Sequence, residues 1–339
     1  MAEILPLRRA KPEDTEIMAV LRQRFGEDLA AVEVLMREHM GSYVAMIPDI
    51  GAHIVKAGGK RLRPILTLAG AQICNYDGEH HIALAAAVEY MHTATLLHDD
   101  VVDDSDLRRG LPTARVKWGN SASVLVGDFM LGQAFRMMVT AGNLRALDVL
   151  SSASSVIAEG EVMQLSQLHN VDMTEDAYLR VIDAKTAALF AAACEIGAVI
   201  ARAPEPEIEA LRAYGRNLGI AFQLIDDALD YAASDIELGK NSGDDFREGK
   251  ITLPVILAVR RGDEEGRKFW KNVIKSPSDD PKDLETAISY LRKTNALDET
   301  SERARHYGER ARDALALFPH SDLKRLLLDL VDFCVSRTN

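Results

Sequence analysis

Acid is written twice into otherwise apolar, helix-patterned sequence. The stretches LLHDDVVDDSDLRRG (96–110) and FQLIDDALDY (222–231) each carry D-D-x-x-D at the end of an apolar run. They supply Asp99, Asp100 and Asp103, then Asp226, Asp227 and Asp230. Residues four apart share a helix face, so Asp99 and Asp103 project together with Asp100 about 100° around. Like charges at that spacing destabilise a helix unless a cation occupies them. One such cluster reads as a solvated helix end. Two, each behind apolar sequence, are hard to read as solvated ends, and facing one another they would suit a diphosphate held between them through metal ions.

The rest of the chain agrees with a helical interior. Of the 339 residues 47% are hydrophobic but only 6% aromatic, and Ala and Leu dominate the apolar set. Helical periodicity runs through 13–57, ending at Gly58-Gly59, then through a short helix opened by Pro64 and an Ala-rich one over 80–103. It resumes over 121–142, 145–168, 174–202 and 205–231. A Gly/Asp-rich loop spans about 233–250 and shorter amphipathic helices follow. No sustained period-2 alternation occurs. The expectation is an all-α, single domain over residues 1–339 built on a buried central helical bundle.

Charge and cysteine usage narrow the function. A net charge of -12 argues against general nucleic-acid binding. Cys74, Cys194 and Cys334 form no metal spacing and read as free thiols in a reducing compartment. The N-terminus has no apolar signal core, and the run over 186–201 is interrupted by Glu195, so the reading is a soluble cytoplasmic protein. Carboxylates without thiolate or paired-His spacing favour Mg²⁺, which completes its shell with water and phosphate oxygens. Cations recur near both acid clusters: Lys60, Arg61 and Arg63 in GGKRLRP, Arg108 and Arg109 after the first cluster, Lys185, and Lys240 and Lys250 after the second. Two facing acid clusters with such anchors suit diphosphate substrates.

GGKRLRP, LLHDDVVDDSDLRRGLPT, GDFMLGQAF, AKTAALF, FQLIDDALDY and GKNSGDDFREGKITLP closely resemble, in order, the motifs of trans-isoprenyl diphosphate synthases, in particular the long-chain members that make quinone side chains. The resemblance is strong over roughly residues 50–260. It implies head-to-tail condensation of isopentenyl diphosphate with an allylic diphosphate, farnesyl or geranyl. Magnesium ions, three with substrate bound, would be held by Asp99, Asp103 and Asp226 with Asp100, Asp227 and Asp230 assisting. Arg108, Lys185 and Lys240 would grip the allylic diphosphate, with Thr186 and Gln223 orienting it and Lys250 nearby. Lys60, Arg63 and Arg109 would hold isopentenyl diphosphate beside His92. The family also implies a homodimer and a transient membrane contact on product release.

Product length is read from the helix that leads into Asp99. Ala94 and Thr95 are small where relatives with short products carry an aromatic floor, and Ala87 and Ala83 continue the track. Tyr90, Met91 and Phe135 are candidates for a deeper floor. This implies about eight to ten isoprene units, as the resemblance to quinone-tail synthases suggests. An HD-type phosphohydrolase could use His98-Asp99 with other histidines, but leaves FQLIDDALDY and GGKRLRP without a role. A non-catalytic partner subunit is expected to have lost an aspartate cluster, and a terpene cyclase needs no second diphosphate site.

Overall fold

The computed structural model describes residues 12–56, 58–232, 243–276, 278 and 280–336. The helices before the first acid cluster are α1 (Pro12–Arg24), α2 (Gly26–His39), α3 (Met46–Lys56), α4 (Leu62–Ile73) and α5 (His80–Val102). A small hairpin, β1 (Leu107–Arg108) and β2 (Leu111–Pro112), follows. Then come α6 (Ala114–Trp118), α7 (Asn120–Thr140), α8 (Leu144–Ser166), α9 (Glu175–Ile182), α10 (Ala188–Ile200) and α11 (Glu205–Ala232). The C-terminal part comprises α12 (Asp244–Arg247), α13 (Leu253–Arg261), α14 (Glu264–Lys275), α15 (Pro281–Lys293), α16 (Ala296–Ala314) and α17 (Asp322–Ser336).

The all-α expectation holds, with the hairpin as its addition. Leu107 pairs with Pro112 and Arg108 with Leu111. The two turn residues, Arg109 and Gly110, have φ of 53° and 75°. Positive φ at both central positions is what a tight hairpin turn with right-handed twist requires. The single pattern over 13–57 is three helices, because the chain bends at buried Phe25 and again at Met40-Gly41, where helix propensity drops.

The apolar run over 186–201 is a central helix. Nearly all of α10 is buried, as expected of a helix apolar on every side. It packs against α4, α8 and α11. One core gathers around α4, α5, α7 and α10. A second joins the C-terminal half of α11 to α13, α14 and α16. Side-chain caps fix several boundaries: Asn143, Thr174, Asp263 and Asp280 each accept a backbone N–H in the first turn of the helix that follows.

One helix among the described residues, α7, is long and apolar enough by length and composition to cross a membrane, which the reading of the 186–201 run had not considered. Its Val126, Met130, Ala134 and Met137 are buried, and it packs on α5. Leu125 and Val139 on the same helix are exposed.

Candidate active site

The ends of α5 and α11 deliver the two acid clusters to one place. A cavity of about 630 Å³ is lined by Asp99 from α5 and Asp226 from α11, with Lys60, Arg63, His92, Thr95, Arg108, Arg109, Lys185, Thr186 and Gln223. A smaller cavity of about 110 Å³ adjoins it, sharing Lys185, Thr186 and Gln223 and adding Asp227, Asp245 and Lys250. Lys60 and Asp226, 166 positions apart in the sequence, thus meet at one surface.

The carboxylates of each cluster have different surroundings. Asp100 is buried and bonded by Arg108, whose Nε and Nη2 both lie 2.8 Å from its Oδ1. Asp103 accepts from Lys250 Nζ at 2.8 Å. Asp99 faces the cavity with Lys185 Nζ 3.9 Å from its Oδ2. Burial is the largest cause raising the Asp99 pKa, with Asp103 adding to it and Lys185 opposing. Asp227 accepts from Tyr178 Oη at 2.5 Å and Gln223 Nε2 at 2.7 Å. Desolvation nevertheless pushes its carboxyl up to about 7. Asp230 accepts from the backbone N–H groups of Asp244 and Asp245, both at 3.1 Å, so it caps α12. Lys240 lies outside the described residues.

A π-turn aims the central cation. Asp183–Ala187 inserts one π-helical turn between α9 and α10, so the pattern over 174–202 is one helical run with its register shifted at Lys185 and Thr186. Arg216 of α11 pins the turn through a bidentate pair with Asp183, at 2.7 and 2.6 Å. A Cβ at Gly160 of α8 would stand 2.7 Å from Lys185 N, and one at Gly219 of α11 would stand 2.7 Å from Ala187 Cα. Only glycine lets both helices approach this closely. Thr186 Oγ1 donates to Gln223 Oε1 at 2.9 Å, which ties the π-turn to Asp227 through Gln223.

The second basic group forms around the loop before α4. Arg63 is half-buried, stacks 4.6 Å from the Phe190 ring centroid and has a buried Nε with no hydrogen-bond partner. Burial lowers its pKa to about 10, against the pull of Glu89 and Asp226. Lys60 Nζ sits 5.3 Å over the Phe333 ring of α17. The hairpin returns Arg109 to this loop: a Cβ at Gly59 would meet its guanidinium at 3.1 Å. His92 is held neutral, its pKa well below the usual value through burial first and then through Arg63, Arg108 and Arg109.

Four features had no sequence signal. Arg61 pairs with buried Glu89 at 2.6 Å. Glu161 and Gln164 of α8 bond Lys185. Glu207 raises the Cys74 thiol, but burial is the larger cause. The cavity's apolar wall is Ile54, Leu96, Ile157, Leu189, Phe190 and Phe222. Thr95 lines this wall, whereas Ala94 is buried in the core. Tyr90 donates to Met36 O on α2 and so faces α2. His98 contacts Val124 O and Asp128 on α7, which places it in helix packing and removes the pairing an HD-type site needs.

The donor set fits a hard divalent cation. Asp99, Asp103 and Asp226 offer only carboxylate oxygens, and burial with the neighbouring Asp103 makes the charged form of Asp99 costly until a cation neutralises it. Among the described residues no three acidic, His or Cys side chains form a ready-made metal cage. Mg²⁺ suits such an open set, since it keeps water and takes phosphate oxygens.

A family model described as polyprenyl synthetase matches residues 44–291. The chain belongs to the polyprenyl synthetase family. It is 43% identical over 311 residues to octaprenyl diphosphate synthase of Escherichia coli (strain K12), covering 92% of this chain and 96% of the relative. Among solved structures, a decaprenyl diphosphate synthase from Rhodobacter capsulatus superposes with a TM-score of 0.91 at 51% identity, over 95% of this chain and 99% of that one. A polyprenyl synthase from Caulobacter crescentus CB15, complexed with calcium and isoprenyl diphosphate, gives 0.91 at 48% identity, over 95% and 98%. The polyprenyl synthase described here therefore has the all-α isoprenoid synthase fold that its motifs implied. It is a trans-prenyltransferase that makes a long-chain all-trans polyprenyl diphosphate. Divalent-metal dependence and the use of isopentenyl and allylic diphosphates are general to the family.

Proposed function

We propose that this synthase is a single catalytic domain that extends a farnesyl or geranyl primer to about eight to ten isoprene units, for a quinone side chain. The observation that carries the reading is the placement of two cation groups and two acid clusters on one apolar-walled cavity. Lys60, Arg63 and Arg109, with neutral His92, hold isopentenyl diphosphate. Lys185, Arg108 and Lys240, with Thr186 and Gln223, hold the allylic diphosphate. Lys250 fixes Asp103 beside it. Asp99, Asp103 and Asp226 would hold Mg²⁺, three ions with substrate bound, while Asp100, Asp227 and Asp230 act through Arg108, Gln223 and α12. Mg²⁺ held by these carboxylates would neutralise charge on the diphosphate leaving group. Departure of diphosphate with its electron pair leaves an allylic cation, the isopentenyl double bond attacks that carbon, and a proton lost to the released diphosphate restores the alkene. Leu96, Ile157, Leu189 and Phe222 exclude water from the cationic carbon.

Assembly and location belong to the same reading. Leu125, Val139, Leu144 and Val162 leave an exposed apolar face on α7 and α8, Leu144 being 82% exposed. It supports a homodimer through these helices. The enzyme works in the cytoplasm and touches the membrane transiently to release product. The test is purified protein with Mg²⁺, farnesyl diphosphate and labelled isopentenyl diphosphate. Long labelled prenyl alcohols after dephosphorylation are expected. Hydrocarbon from the allylic substrate alone would indicate a cyclase, and phosphate release without chain growth a hydrolase.

A further inference from the structure

The side chains that fix Lys185 come from α8, outside the motifs quoted above. Gly160 brings the α8 backbone against the π-turn, and the next residue, Glu161, accepts from Lys185 Nζ through Oε2 at 2.7 Å. Gln164, one helical turn further along, accepts from the same nitrogen through Oε1 at 2.8 Å. An ammonium group has three N–H donors. Two are engaged by α8, and Asp99 Oδ2, at 3.9 Å, is beyond hydrogen-bond range. The remaining donor belongs to the cavity that Lys185 lines. A lysine stem has four rotatable bonds and would otherwise collapse onto the nearest carboxylate, Asp99. Glu161 Oε1 is buried with no hydrogen-bond partner, so this carboxylate is placed at a cost that solvent exposure would avoid.

We propose that Glu161 and Gln164 are positioning residues: they clamp Lys185 off Asp99 and direct its third N–H to the allylic diphosphate. The proposal rests on Lys185 being an allylic-diphosphate contact, and the test separates the two. Steady-state kinetics with both substrates varied, and calorimetric binding of farnesyl thiolodiphosphate with Mg²⁺, are compared across variants. Glu161→Ala is expected to raise the allylic KM and the thiolodiphosphate Kd by about 10- to 100-fold, the effect of losing a hydrogen bond to a charged group. The isopentenyl KM stays unchanged. Gln164→Ala shifts both quantities in the same direction by less. Glu161→Gln, which keeps an acceptor in place and guards against misfolding, restores part of the loss.

The double variant Lys185→Ala/Glu161→Ala should be no worse than Lys185→Ala alone, because Glu161 acts through Lys185. Additive losses overturn the clamp, as does a matched rise in both KM values. If Lys185→Ala raises the allylic KM and Glu161→Ala does not, the clamp alone fails. If Lys185→Ala leaves the allylic KM unchanged, the assignment of Lys185 fails and the clamp falls with it.

Discussion

Lys250 Nζ lies 2.8 Å from Asp103 Oδ2 across 147 residues of sequence. The segment that follows the second acid cluster therefore closes on the first. Burial opposes the charge on Lys250, but Asp103, Glu248 and Asp245 outweigh it and raise its pKa. This lysine neutralises Asp103 together with Glu248 and Asp245. Lys250→Met should lower metal-free stability by roughly 2–4 kcal/mol, a buried-pair effect discounted for residual exposure. Mg²⁺ should restore part of it. Urea unfolding in EDTA and in MgCl₂ measures both; a variant as stable as wild type in EDTA would refute the role.

Removing a cavity carboxylate should have the opposite effect on stability. Burial and Asp103 make the Asp99 charge costly, so Asp99→Asn should leave the metal-free protein as stable or slightly more stable. Turnover should fall by orders of magnitude, and Asp226→Asn should do the same. A large drop in melting temperature for both variants would show the clusters to be structural instead.

The two cation groups should separate kinetically. Lys60→Ala and Arg63→Ala are expected to raise the KM for isopentenyl diphosphate, whereas Lys240→Ala raises it for the allylic substrate. Arg63 also stacks on Phe190, so its variant should lose some stability as well. The two-site assignment would not survive if all three variants weakened the same substrate.

Asp227 gives the apo protein a pH dependence of its own. Its folded pKa, raised by burial to about 7 from 3.8, means that the folded state holds a proton the unfolded chain has released between those values. Its contribution to stability is fully present below pH 3.8 and is lost as pH rises through about 7. The loss amounts to about 4 kcal/mol at most. Asp227→Asn mimics the protonated carboxyl and should flatten the fall in melting temperature from pH 5 to pH 8 in EDTA. An unchanged slope would mean that Asp227 is ionised throughout.

The acid clusters, the basic motifs and the helical architecture were legible because each is a local pattern with a physical signature. Spacing marked the two acid clusters and the family resemblance put Asp99 and Asp226 at one site, but Lys250 with Asp103, or Glu161 with Lys185, depends on which helices pack. Ala94 and Thr95 show a second limit. Both are small residues on a buried helix, and periodicity does not distinguish a face that lines a cavity from one that meets another helix. Asp100 and Asp230 share a motif with cavity carboxylates, yet one is turned to Arg108 and the other caps α12. The π-turn was hidden because its one-residue shift leaves an Ala-rich helix pattern almost unaltered.

Chain length is where that distinction can be measured. Thr95 lines the cavity and Ala94 is packed into the core, so an aromatic ring should act differently at the two positions. Thr95→Phe projects a ring across the space beside Leu96 and Ile157, beyond the diphosphates. The first condensation should proceed and elongation should stop early, giving shorter prenyl alcohols by mass spectrometry. Ala94→Phe instead forces a ring into a filled interior, which costs about 1–3 kcal/mol. Its expected signature is a lower melting temperature with the product distribution retained. Shorter products from Ala94→Phe, with Thr95→Phe unchanged, would put the growing chain on the Ala94 face and show that the helix packing there opens during elongation.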